Sequence, residues 1–186
     1  ASGLFDRMWK CVLAAFVCAA CGRAQTVLLD TFSAGATTGA VRAGTSWVSN
    51  TTQNATTLTV GGSARDDNGW GATGLSLNAT GMNFLTVTAQ RDAGNSAATF
   101  AIQFEDRDLN TQIFSVSMSA FAIGSLTSVH IPITAWTGGF SLTNISGWSI
   151  GGGGVGTAPL RMTFDHLALN ATATTGTVAP GAIGDF

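Results

Sequence analysis

The sequence has no tyrosine, one lysine (Lys10), one glutamate (Glu105) and two histidines (His130 and His166); its three cysteines, Cys11, Cys18 and Cys21, all stand near the N-terminus. Each shortage excludes some chemistry. Glycoside hydrolysis usually needs two carboxylates flanking the scissile bond, one of raised pKa. Here the only glutamate falls on the solvent-facing row of a strand, and the aspartates mostly occupy turn contexts where they bond local backbone. Two imidazoles are too few for a histidine-rich metal site. A Ser/His/Asp set is not excluded by counting, but no nucleophile elbow is read from the chain. Catalysis is therefore not expected, and a lyase or hydrolase is the least favoured of three functional readings.

The N-terminus reads as an address. Met8, Trp9 and Lys10 precede the apolar run Cys11–Ala20, and Cys21-Gly22-Arg23-Ala24 follows. A short basic region, an apolar stretch and small residues make a signal peptide, with cleavage expected after Ala24. The run is about ten residues long, half of what a spanning helix needs, so no membrane span is expected after cleavage. The alternatives are an uncleaved anchor and a lipoprotein acylated at Cys21, although Cys18 stands where a lipobox usually has leucine. Residues 1–7 lie upstream of this start. The chain thus divides into residues 1–24 with the signal helix, a domain over 25–170, and a tail over 171–186. From Gln25 onward no cysteine remains, which excludes disulfides, thiolate metal sites and cysteine nucleophiles there. Five arginines then face nine acidic residues, about −4 in net charge. No basic stripe is left for nucleic acid.

What remains is rich in Gly, Thr, Ser, Asn, Val, Ile and Phe, the composition of a β-protein with many turns. Strands are expected near 26–30, 46–48, 57–60, 75–78, 83–90, 98–105, 112–121, 128–133, 140–142, 147–150 and 161–169. Phe100, Ile102 and Phe104 alternate with polar or small residues, as do Phe114, Val116 and Met118, and Val129, Ile131 and Ile133. Period two puts one row in a core and the other towards solvent. Those nine residues are expected to form one continuous core between two sheets. In the last strand Leu160, Met162 and Phe164 share a parity that Leu167 and Leu169 break, which predicts a bulge at Asp165-His166. The fold class is all-β, a two-sheet antiparallel jelly-roll sandwich.

Leu28-Leu29-Asp30-Thr31-Phe32 resembles the opening of galactose-binding-like jelly rolls, and Phe164-Asp165-His166-Leu167-Ala168-Leu169 their closing strand. Ser128–Ile133, followed by Trp136 and Asn144-Ile145, is similar to a stretch of family 11 carbohydrate-binding modules. The resemblance loosely spans residues 26–169. The chain also resembles bacterial surface proteins with a PEP-CTERM sorting tail, though no such tail occurs in these 186 residues. The resemblance implies a secreted or cell-surface module that binds polysaccharide or a cell-surface glycan. It also implies a structural Ca²⁺ between the first and last strands, held by Asp30 and Asp165, since Ca²⁺ takes hard oxygen ligands. Sugars stack on exposed indoles, so Trp70 and Trp136 in glycine-rich segments are candidate contacts, with Asp66 and Asp67 beside Trp70 taking hydroxyls. The competing reading is a structural surface or matrix domain without a small ligand. Asp106-Arg107-Asp108-Leu109-Asn110 has the oxygen spacing of half a calcium loop but lacks the glycine and glutamate an EF-hand needs, and is read as a hairpin turn.

Overall fold

The computed structural model describes residues 26–41, 50–63, 69–133, 139–152 and 159–172. The expected signal segment, the strand at 46–48, and Asp66, Asp67 and Trp136 lie outside the described residues. Eleven strands make up the fold: β1 (Thr26–Asp30), β2 (Ala40–Val41), β3 (Thr51–Gln53), β4 (Leu58–Ser63), β5 (Trp70–Leu77), β6 (Phe84–Arg91), β7 (Thr99–Asp106), β8 (Thr111–Ser117), β9 (Thr127–Pro132), β10 (Ile145–Gly151) and β11 (Pro159–Asn170). A 3-10 turn, Met118–Ala120, follows β8 and ends the strand that the alternation carried on to Phe121. Among the described residues no α-helix occurs, and none is long and apolar enough to cross a membrane.

The strands pair antiparallel in two sheets. One runs β3-β4-β11-β6-β9, with β1 also on β11; the other runs β2-β5-β10-β7-β8. β6 occupies one edge of β11, while β4 and β1 share the other in succession, β4 along Pro159–Phe164 and β1 along Leu167–Asn170. The register of β11 on β6 shifts between Phe164 and His166, making Asp165 the extra residue of the expected bulge. It lies where β4 gives way to β1, and it turns Leu167 and Leu169 back to the core, each fully buried.

All nine residues of the expected core are buried. Aromatic edges join the sheets: Phe100 of β7 meets Phe164 of β11 with centroids 5.7 Å apart at 74°, and Phe32 meets Trp148 at 6.3 Å and 87°. The segment 140–142, expected as a strand, is instead a loop. Phe140 and Leu142 still pack on the core, but the backbone between them serves another purpose. Ser141 N–H donates to Asp106 Oδ2 at 2.9 Å, tying the loop to the β7–β8 turn.

That turn is a hydrogen-bonded hub rather than a cation loop. Asp106 Oδ1 accepts from the backbone N–H of Asp108 and of Asn110, each at 2.9 Å, and the Asn110 amide donates to Oδ2 at 3.0 Å. Leu109 completes it in the left-handed region at φ 64°. Burial pushes the Asp106 carboxyl up, but the bonds from the Asn110 side chain and from the backbones of Ser141, Asn110 and Asp108 outweigh it. They hold the pKa below the ordinary value. A depressed folded-state pKa contributes stability that is present above the unfolded value, 3.8, and lost as pH falls through the folded one. Melting temperature should therefore drop as pH is lowered below about 4, and Asp106→Asn should flatten that slope while lowering stability at pH 7. An unchanged slope in the variant would remove Asp106 from the acid response.

Candidate functional site

The outer face of the six-stranded sheet carries a cleft of about 480 Å³, within the usual size range of ligand sites. Its lining comes from β4 (Thr59, Val60, Gly61), β11 (Arg161, Thr163), the β6–β7 turn (Asp92, Ala93) and Asn50 before β3. The β4–β11 register brings these together, setting Gly61 opposite Arg161 and Thr59 opposite Thr163. The turn is pinned to β11 by Asp92 N–H on the Arg161 carbonyl at 3.1 Å, and by Arg161 N–H on the Asn95 side chain at 3.0 Å. Gly61 keeps the floor open: a Cβ there would stand 3.3 Å from Arg161 Nη1 and 3.4 Å from the Asn50 carbonyl oxygen.

The cleft holds both acceptors and donors. Asp92 Oδ1 accepts from the Gln90 amide at 3.0 Å, and Oδ2 from Thr163 Oγ1 at 2.9 Å. With its proton committed to Asp92, Thr163 accepts from Thr59 at 3.1 Å, which orders the row Thr59 to Thr163 to Asp92. Each carboxylate oxygen keeps lone-pair capacity. Two residues from Thr163 along β11, Arg161 is exposed, and no hydrogen bond or ion pair joins its guanidinium to another described residue. The five guanidinium donors and the Asp92 carboxylate thus line one cleft, with no ion pair between them among the described residues.

Of the expected site residues, Trp70, Asp30 and Asp165 lie among the described ones. Trp70 is only 5% exposed and belongs to the core, so it offers no face for stacking. The glycines beside it signalled a loop, but their role is close approach: a Cβ on Gly71 would meet Ser149 Cα at 2.8 Å, and one on Gly39 the Trp70 indole at 2.9 Å. The Trp70 indole N–H donates to Asp30 Oδ2 at 3.3 Å, joining the two sheets.

Asp30 is 1% exposed, and every described group bonded to its carboxylate is a donor. Oδ1 accepts from Phe32 N–H at 2.8 Å and Thr38 N–H at 3.3 Å, Oδ2 from Gly39 N–H at 2.9 Å, and Thr37 Oγ1 is 2.9 Å from both oxygens. Such a nest suits an anion, whereas Ca²⁺ needs converging oxygens. Asp165 does not join it. Its side chain is half-exposed and its Oδ2 accepts from His166 Nδ1 at 2.9 Å, in a separate network. Among the described residues no three His, Cys, Asp or Glu side chains converge. The chain's own residues do not fit the expected calcium pair, and adding a divalent-cation chelator is expected to leave the melting temperature unchanged. A fall on chelation would restore a cation to the fold.

Gly147-Trp148-Ser149-Ile150-Gly151 has Gly-x-Ser-x-Gly spacing. It lies within β10 and Ser149 is 4% exposed, so the strand-to-helix turn of a nucleophile elbow is missing.

No protein-family model matches the chain, and no curated protein matches it. The fold is shared with solved structures. The xylan-binding module CBM15 is 16% identical with a TM-score of 0.52, the match covering 80% of this chain and 97% of that one. The family 11 carbohydrate-binding module of cellulosomal cellulase Lic26A-Cel5E of Clostridium thermocellum is 12% identical with a TM-score of 0.51, covering 80% and 95%. An agarase, AgWH50C, is 10% identical with a TM-score of 0.56 over 81% of this chain, which spans only 25% of the agarase.

Proposed function

We propose that this domain is a secreted or cell-surface glycan-binding module that holds polysaccharide in the cleft between β4, β11 and the β6–β7 turn. The observation that carries the reading is an Arg161 guanidinium, unpaired among the described residues, lining the same cleft as the Thr59–Thr163–Asp92 row. Sugar hydroxyls both donate and accept, so one ring can take hydrogen bonds from the guanidinium and give them to the carboxylate. The sandwich shared with carbohydrate-binding modules over nearly their whole length supports it. The signal-like N-terminal segment would place the domain where such polymers are met. Among the described residues Asp92 is the one carboxylate lining the cleft, whereas glycoside cleavage usually needs a pair.

Native electrophoresis through gels containing xylan, agarose or other polysaccharides tests this. The wild type should be retarded by at least one polymer. Arg161→Ala, which removes charge-assisted bonds of about 1.5–3 kcal/mol each, should bind that polymer roughly ten- to a hundredfold more weakly. Free migration of the wild type through a broad panel would favour the structural surface domain without a ligand.

A further inference from the structure

Further along the same sheet face, four polar side chains on three strands form one hydrogen-bonded row. Asp165 Oδ2 lies 2.9 Å from His166 Nδ1, His166 Nε2 lies 3.0 Å from Thr88 Oγ1, and Thr88 Oγ1 lies 2.7 Å from Ser128 Oγ. The register of β9, β6 and β11 places Ser128, Thr88 and His166 side by side. A carboxylate only accepts, so Nδ1 carries the imidazole proton and, in neutral His166, Nε2 must accept. Thr88 has one proton and gives it to Nε2. It must then accept from Ser128, whose hydroxyl is the exposed end of the row.

We propose that Ser128 is a nucleophile towards acyl esters, activated through Thr88 by His166, an activity that goes beyond glycan binding and does not depend on it. Ser128 Oγ bonds to the acyl carbon as its proton passes to Thr88 Oγ1 and the Thr88 proton passes to His166 Nε2. The ester C–O bond breaks, and the departing alkoxide takes a proton from Thr88 Oγ1, which recovers one from His166 Nε2. Water then attacks the acyl-serine with the same proton movements, releasing the carboxylic acid and restoring Ser128. Asp165 orients the imidazole and stabilises its protonated form. Among the described residues β9 pairs with β6 alone, which leaves alternate backbone N–H groups along its other edge as donors for an oxyanion.

Incubating the full chain with p-nitrophenyl acetate, followed by peptide mass mapping, tests the proposal. Acetyl should appear on Ser128 with release of p-nitrophenolate. Thr88→Val should slow acetylation about a hundredfold, the size of a general-base contribution. Thr88→Ser should retain the rate, and Ser128→Ala should give no acetyl-peptide at that position. The absence of acetyl-Ser128 in the wild type, or an unchanged rate in a folded Thr88→Val, would overturn the proposal.

Discussion

Asp30→Ala is expected to destabilise the domain by about 3–5 kcal/mol, because it strips an acceptor from a buried ring of donors. Phe32, Thr37, Thr38, Gly39 and Trp70 all donate to this one carboxylate. Each donor left unsatisfied and buried costs about 1–3 kcal/mol, less whatever water recovers on entering the space. Two further losses accompany it. The Phe32 ring is fully buried although its backbone sits at φ 54°, a conformation that bulky residues resist, and the Asp30 bond to its N–H helps to hold it. Trp70 would also lose its tie from the five-stranded sheet to β1. At roughly 2–4 °C per kcal/mol for a domain of this size, the melting temperature should fall by about 6–20 °C. Asp30→Asn should lie between, since its amide oxygen still accepts while its NH₂ faces other donors. A loss under about 1 kcal/mol in Asp30→Ala would mean the ring is satisfied some other way.

Phe104→Ala should cost a similar amount for a different reason. Phe104 is fully buried on β7 and meets Phe114 of β8 edge to face, with centroids 6.1 Å apart at 84°. Truncation removes the transfer free energy of the ring and leaves a cavity that two hydrogen-bonded strands cannot close, about 3–5 kcal/mol in typical cores. Denaturant melts should show a lower midpoint with an unchanged slope if the native state stays compact. A cost near 1 kcal/mol would indicate that β7 and β8 collapse onto the gap.

These two positions differ in how much of their role the sequence shows. Phe104 is legible because strict alternation along β7, β8 and β9 leaves only one face for a core, and the parity break at Asp165 likewise locates the bulge. β2 and β3 are not legible. Ala40–Val41 and Thr51–Gln53 are short and carry little apolar pattern, and they become strands through their partners β5 and β4. Asp30 stands out in the sequence as a charge after two leucines, yet its partners lie up to 40 residues away. The pattern alone does not distinguish a cation ligand from an acceptor ringed by N–H groups. The cleft is the least legible feature of all. Asn50, Thr59, Asp92 and Arg161 are unremarkable one by one, and only the β4–β11 register and the pinned turn after β6 place them together. Trp70, in its glycine-rich segment, is buried, because its neighbouring glycines serve tight packing.

Hydrogen exchange with and without the polysaccharide that retards the domain tests the glycan reading at its location. Protection is expected at Thr59–Gly61, Asp92–Gly94 and Arg161–Thr163, and it should disappear in Arg161→Ala. Protection confined to the outer face of β7 and β10, with the cleft unchanged, would contradict the account and move the glycan to the other sheet.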